Sequence, residues 1–302
     1  MVTENFRGAI LMIVSMVLFA FEDMFIKLLA AGLPFAELLA LIGILGAVAF
    51  GIVMKFKGER LLTRDLFRPV VVFRNLAEGI GAIGVVMALG LSDLSSTAAI
   101  MQAMPLVIML GAALFLGEPV GARRWGAIAI GFMGVMMVVR PGLAGFQPVS
   151  LWAVMAVIAL GARDIATRRI PKEVQSLQLA ASAFLAVFLA GIVMAPVMGQ
   201  AFVMPDLRQW LLLIGCVAVG GAGYALLIIA TRVAEASAIA PYRYARLVFS
   251  LLLAWFVLDE RPDLLTFLGA GIIVASGCYT MWREATLRRR QLRDCCCLAS
   301  TA

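Results

Sequence analysis

The sequence predicts an all-α polytopic membrane protein with ten transmembrane helices, arranged as two inverted five-helix repeats. Ten long apolar stretches, an internal repeat at a spacing near 142 residues and a lopsided distribution of basic residues carry that prediction. Of the 302 residues 63% are hydrophobic, and the mean hydropathy of +1.03 exceeds what a soluble core needs. The stretches lie near 8–30, 34–54, 70–90, 95–116, 124–140, 149–168, 176–196, 209–231, 238–258 and 264–282. Most approach the roughly 20 residues a helix needs to cross hydrocarbon, and they are too long and too little alternating for barrel strands. The first contains Glu22, Asp23 and Lys27 and lacks a small-residue cleavage site, so it reads as a retained helix.

The repeat aligns Ser95-Ser96-Thr97-Ala98-Ala99 with Ser237-Ala238-Ile239-Ala240-Pro241, and Leu116-Gly117-Glu118 with Leu258-Asp259-Glu260. One inserted residue then brings Pro119 onto Pro262, Gly126 onto Gly269 and Gly134 onto Gly277. Upstream, Asp23 meets Asp164 and Lys27 meets Arg168. The implied organisation is a short N-terminus (1–7), a first repeat (8–140), a second (149–283) and a basic, cysteine-bearing tail (284–302). Five spans per repeat force the second to run opposite to the first, a known architecture for carriers that alternate access to a site between the halves.

The net charge of +7 follows from topology and carries no nucleic-acid signal. With the amino terminus inside, 17 of the 25 basic residues fall on inside segments and four on outside ones. The positive-inside bias places both termini in the cytoplasm of a bacterial-type inner membrane. The chain has no histidine, which removes Ser-His-Asp catalysis, histidine metal sites and imidazole proton relays. No glycine-rich phosphate loop follows a strand, so gradients or substrate exchange must supply the power. No cofactor or metal is expected. Cys216 and Cys278 read as small buried hydrophobes, and Cys295-Cys296-Cys297 as part of a solvated, disordered cytoplasmic tail, with lipidation or metal binding as the alternative.

Ionisable residues within spans are costly and therefore informative. Arg243 and Arg246 lie i,i+3 on one face of the ninth span, in Pro241-Tyr242-Arg243-Tyr244-Ala245-Arg246. Arginines among tyrosines bind carboxylate or phosphate and stack on planar rings. Alternatively they reach the headgroups, or pair with Glu78 and Asp164 to lock the bundle. Gln102 aligns with Tyr244, so Arg243, Arg246, Tyr242, Tyr244 and Gln102 form the expected substrate site. Asp23 with Lys27 and Asp164 with Arg168 are i,i+4 pairs and read as local salt bridges, as does Arg74 with Glu78. Glu22, Asp164 and Glu78 are the candidates for charge balance or proton coupling. Glu22 and Arg163 either meet near the pseudo-twofold axis or face the cavity separately. Pro105 is expected to bend the fourth span. The glycines of the fifth and tenth spans are expected to serve helix packing, and so is the Gly220-Gly221-Ala222-Gly223 run.

Ten spans, two five-helix repeats and the Leu-Gly-Glu-Pro ending of the fourth span (Leu116–Pro119) resemble the drug/metabolite transporter superfamily. Within it the chain is similar to EamA-domain permeases over roughly residues 6–284. The stretch from Pro241 to Asp263 looks like the branch with riboflavin and S-adenosylmethionine carriers. The resemblance implies a central cavity lined by spans 1, 3, 4, 6, 8 and 9, with spans 5 and 10 peripheral. The expected function is secondary transport of a small anionic or zwitterionic metabolite by alternating access. The expected partners are that metabolite and the bilayer, while proton coupling and a homodimer stay open. A drug or amino-acid exporter is the alternative within transport. A lipid-modifying membrane enzyme lacks the clustered acid/base groups it needs, and a sensor or scaffold lacks an output domain.

Topology has a direct check. Single cysteines at residues 60 and 290 are expected to be shielded from an impermeant thiol reagent outside intact cells, and one at residue 145 to react. Outside labelling at residue 290 contradicts the inverted arrangement.

Overall fold

The computed structural model describes residues 2–58, 63–115, 122–141, 147–171, 174–233 and 240–299. Eleven α-helices follow in order among these residues: α1 (Val2–Ala30), α2 (Phe35–Phe56), α3 (Pro69–Leu91), α4 (Leu94–Met101), α5 (Met104–Phe115), α6 (Ala122–Val139), α7 (Ser150–Arg168), α8 (Ser176–Met198), α9 (Leu207–Val233), α10 (Ala245–Leu258) and α11 (Leu264–Ala299). Short 3₁₀ turns at Arg64–Phe67 and Ala240–Tyr244 precede α3 and α10. Prolines punctuate the starts: Pro34 stands just before α2 and Pro69 opens α3, where a missing N–H leaves no intrahelical bond unmade.

The chain makes ten membrane spans. Seven come from helices long and apolar enough to cross by themselves: α1, α2, α3, the α4–α5 pair, α7, α8 and α9. α6, the Ala240–Leu258 segment and the first part of α11 supply the others. α1 leads from the face that carries the chain termini to the opposite, far face, and the spans alternate thereafter. α7 therefore runs against α1, which inverts the second repeat.

Packing follows the repeat. α1 lies on α9 and α3 on α7, contacts that exchange when the repeats are interchanged. α2–α8 and α6–α11 each pair a helix with its own repeat mate and so lie across the pseudo-twofold axis. The α2–α8 contact is close enough to require glycine. A Cβ at Gly43 would fall on the backbone of Phe188, and one at Gly191 on the backbone of Ala36 and Ala40. Gly134 and Gly269 serve the α6–α11 crossing, each facing the other's carbonyl. Packing, the expected role of these two glycines, is what the structure shows. Gly126 and Gly271 meet nothing within 4 Å.

Three local expectations change. The fourth span is broken, not merely bent: α4 stops at Met101, Gln102 and Ala103 form a turn, and α5 starts at Met104. Amides of Gln102 and Ala103 bond three residues back, to Ala99 and Ile100. Pro105 has no N–H to offer the Met101 carbonyl. In the ninth span the 3₁₀-to-α junction falls at Tyr244–Ala245, the register position of that break. The tail does not leave the helix at residue 284: α11 continues to Ala299, 36 residues in all. At 1.5 Å per residue that is about 54 Å, well beyond a hydrocarbon core of roughly 30 Å. The Leu116–Pro119 motif lies outside the described residues.

A dense apolar cluster fills the far half of the bundle, built from Leu29, Leu33, Leu38, Leu89, Leu94 and Leu213 among others. Polar ties rim it. Glu37 accepts from the Val203 amide at 2.8 Å, and Arg140 pairs with Asp263. Asp263 also accepts from the Thr266 amide at 3.1 Å, capping α11. Although partial burial opposes it, hydrogen bonds from Thr266 and Arg140 hold the Asp263 carboxyl below its ordinary range.

Replacing Gly43 or Gly191 by Val overpacks the α2–α8 contact. An overpacking cost of about 1–3 kcal/mol corresponds to a melting-temperature loss of roughly 2–5 °C for the purified protein in detergent. Gly271→Ala, which adds a methyl where nothing is near, is expected to leave the melting temperature unchanged or raise it.

Candidate functional site: a charged central cavity

Eight charged groups on four spans converge on one cavity of about 330 Å³ inside the bundle. That volume is at the small-molecule end of ligand pockets. α1 contributes Glu22 and Asp23, α3 Arg74 and Glu78, α7 Arg163 and Asp164, and the ninth span Arg243 and Arg246. α2, α4, α5, α8 and α9 complete the wall, while no residue of α6 or α11 lines it among those described. The peripheral fifth and tenth spans thus agree with the family expectation; the second and seventh spans join the lining in addition.

Burying a charge in low dielectric costs several kcal/mol unless a partner and further hydrogen bonds offset it. Most of the eight meet that demand among themselves. Arg246 grips Asp23 with two hydrogen bonds, Nε to Oδ2 at 2.9 Å and Nη2 to Oδ1 at 2.6 Å. Its guanidinium also lies 5.4 Å from the centre of the Phe19 ring. The planar fork against a carboxylate is a geometry that lysine cannot reproduce. On the other side Arg74 pairs with Glu78 at 3.0 Å, the expected i,i+4 bridge. Arg163 adds to it, donating Nη1 to Glu78 at 3.0 and 3.2 Å and Nε to Asp164 at 2.8 Å. Arg74 is further held by the Leu179 carbonyl at 3.1 Å and the Asn75 amide oxygen at 3.0 Å.

The local pair expected in the first span does not form. Asp23 turns to Arg246 instead of Lys27, and Lys27 pairs with Glu260. Asp164 pairs with Arg163, and the Arg168 side chain lies outside what is described. Glu22 and Arg163 face the cavity separately.

Two of the eight are left over. Among the described residues neither Glu22 nor Arg243 has an ion pair or side-chain hydrogen bond, and both line the cavity. Arg243 is enclosed by the bundle, yet its side chain stands open to the cavity space. Asp164, Arg163 and Arg246 are the charges that act on it. Glu22 packs against Gly220: a Cβ there would overlap its carboxylate. One glycine of the Gly220–Gly223 run therefore makes room for a charged group, a use beyond helix packing.

Of the remaining expected site residues, Gln102 lines the cavity at the break in the fourth span. Tyr242 and Tyr244 do not. Tyr244 is buried with its ring over Gly277 on α11, and Tyr242 is exposed. A 3₁₀ turn advances 120° per residue, so neighbours on a span read as ideal α-helix lose their assumed face. Three aromatic rings that the sequence did not single out do reach the cavity: Phe19, Phe184 and Tyr224. Phe50 stacks on Phe184 at 5.5 Å and meets Tyr224 edge-on at 6.0 Å, fixing both from behind.

A ten-span bundle with a polar cavity between inverted halves is the architecture of a secondary carrier. The chain belongs to the EamA-like transporter family, which its residues 6–140 and 147–282 both match. It is 28% identical over 219 residues to an S-adenosylmethionine uptake transporter of Rickettsia bellii, covering 72% of this chain and 74% of the relative. It is 27% identical over 281 residues to a pseudopaline exporter of Pseudomonas aeruginosa, covering 91% and 96%. A riboflavin transporter of Vibrio cholerae is 29% identical over 200 residues, 64% of each chain. A solved crystal structure at 20% identity shares the fold, with a TM-score of 0.61 over 94% of this chain and 98% of that one. The protein is thus a multi-pass membrane transporter of a small molecule.

The Arg246–Asp23 pair is expected to be structural. Breaking a buried pair costs about 3–5 kcal/mol, so Asp23→Asn or Arg246→Ala is expected to lower the melting temperature sharply. The double variant Asp23→Asn/Arg246→Leu removes both charges and is expected to recover part of the loss. Equal losses in single and double variants contradict the assignment.

Proposed function

We propose that the cavity carries a zwitterionic metabolite, its acid group on Arg243 and its cationic group on Glu22. The observation that supports this is the pairing pattern: six cavity charges satisfy one another and two of opposite sign do not. An unpaired ion in a membrane interior needs a counter-charge, and a zwitterion supplies both at once. Arg246, expected to share the substrate, is engaged by Asp23 and serves in this reading to position the first and ninth spans. Gln102 adds a neutral hydrogen-bonding group at the helix break, and Phe184 and Tyr224 offer faces for a flat ring. S-adenosylmethionine, named for the Rickettsia relative, has the required parts: a carboxylate, cationic groups and a planar base.

The wider reading follows the sequence. The repeats, 8–140 and 149–283, move as the two rocking units, both termini face the cytoplasm of an inner membrane, and the chain performs no covalent chemistry. Glu22 is also the proposed coupling group, since a carboxylate without a partner can exchange a proton for the substrate's cation as the cavity changes sides. Asp164 and Glu78, held by Arg163 and Arg74, are less free to do so.

Uptake of labelled S-adenosylmethionine and riboflavin into liposomes, with and without an imposed pH gradient, tests the proposal. Losing a charge-assisted contact is expected to reduce S-adenosylmethionine uptake in Arg243→Ala by about tenfold or more. Its melting temperature is expected to stay near that of the unaltered protein, because Arg243 supports no other side chain. Glu22→Gln is expected to exchange substrate across the membrane without being driven by the pH gradient. Full-rate uptake by Arg243→Ala overturns the binding assignment, and gradient-driven uptake by Glu22→Gln overturns the coupling role.

A further inference from the structure

The Leu258-Asp259-Glu260 motif stands at the far end of the ninth span, away from the cavity. α10 ends at Leu258, and Asp259 then takes the left-handed backbone conformation, φ 51° and ψ 28°. A side chain with a Cβ adopts it at a cost, which Asp and Asn tolerate better than most and Gly escapes. The amides of Asp259 and Glu260 both fold back onto the Ala254 carbonyl, the latter at 2.9 Å. This reversal aims Glu260 at the start of α4. There its Oε1 accepts from the Leu94 amide at 2.9 Å. Its Oε2 accepts from the Ser95 amide and hydroxyl, both at 3.1 Å.

Asp93, which holds the N-cap position of α4, makes no capping bond. Burial, and next the charge of Glu260, hold its carboxyl above the ordinary range against the pull of Lys27. The charged cap of α4 therefore comes from the opposite repeat, and the positive end of the helix strengthens it. Lys27 completes the cluster. Its Nζ lies 3.3 Å from Glu260 and donates to the carbonyls of Ser92 at 2.7 Å and Leu89 at 3.3 Å. One carboxylate thus ties together the far ends of α1, α3, α4 and α10, above the apolar cluster that closes that face.

We propose that Glu260, aimed by the Asp259 turn and neutralised by Lys27, is a gating residue: it holds the far mouth of the carrier shut and must let go of α4 when the cavity opens to that side. The inference rests on the transport reading of the fold and on no particular substrate. The repeat register supports it at the level of sequence. Gly117 stands where Asp259 does, again a residue suited to positive φ, with Glu118 opposite Glu260 and Arg168 opposite Lys27.

Cysteine accessibility tests it without a substrate. In a protein whose native cysteines are replaced, Ala82→Cys places one thiol in the cavity wall. An impermeant thiol reagent is applied to either face of oriented vesicles. With the latch intact, labelling is expected to be fast from the terminal face and slow from the far face. Loss of several charge-assisted bonds in Glu260→Ala is expected to raise the far-face rate about tenfold or more. Glu260→Gln and Lys27→Ala are expected to give intermediate rates, and they carry the test if Glu260→Ala does not fold. If folded Glu260→Gln and Lys27→Ala label from the far face no faster than the latched protein, the gating role is overturned. A fall in melting temperature with unchanged labelling identifies a purely structural cap and overturns it as well.

Discussion

Charge neutralisation inside a membrane is the constraint on which the other features of this protein depend. Eight ionisable groups share a cavity where isolated charges are costly, so each must find a counter-charge or remain available for one. Two of the pairs that form join spans distant in sequence. Arg246 reaches Asp23 across 223 positions, and Arg163 reaches Glu78 across 85. Those links set which faces of α1, α3, α7 and the ninth span meet. They also leave Glu22 and Arg243 without partners among the described residues, the observation on which the proposed site rests.

The same electrostatic logic operates at the far face with backbone groups. Glu260 meets the unsatisfied amides of a helix start, where the last turn of another helix is bent by one left-handed residue. In the proposed gate, apolar closure below and a charge-assisted tie above hold that end shut, and the tie weakens steeply once its short hydrogen bonds are stretched. A far mouth held shut by this proposed gate corresponds to one half of an alternating-access cycle.

The architecture was legible in the sequence because membrane spans announce themselves. Length, apolar run and repeat register gave ten spans and their inversion, and Gly134 and Gly269 marked a helix crossing. The cavity charges were legible as residues, since each breaks an apolar run. Their partners were not. An i,i+4 spacing makes Asp23 and Lys27 look like a pair, but Arg246 offers Asp23 a bidentate grip and Glu260 draws Lys27 to the far face. Tyr244 and Tyr242 were placed on an ideal helical face that the 3₁₀ turn at Ala240–Tyr244 does not present. Phe184 and Tyr224 gave no signal, because an aromatic residue in a lipid-facing helix and one in a cavity wall look alike in sequence. Gly220 sat in a recognisable run, yet only the position of the Glu22 carboxylate reveals why glycine is needed there.

A structure of the protein with bound S-adenosylmethionine tests the central claim most directly. The pairing scheme predicts the carboxylate within hydrogen-bond distance of the Arg243 guanidinium, a cationic group facing Glu22, and an intact Arg246–Asp23 pair. A ligand carboxylate seated on Arg246 with Asp23 displaced, or a ligand held outside the cavity at headgroup level, would contradict it.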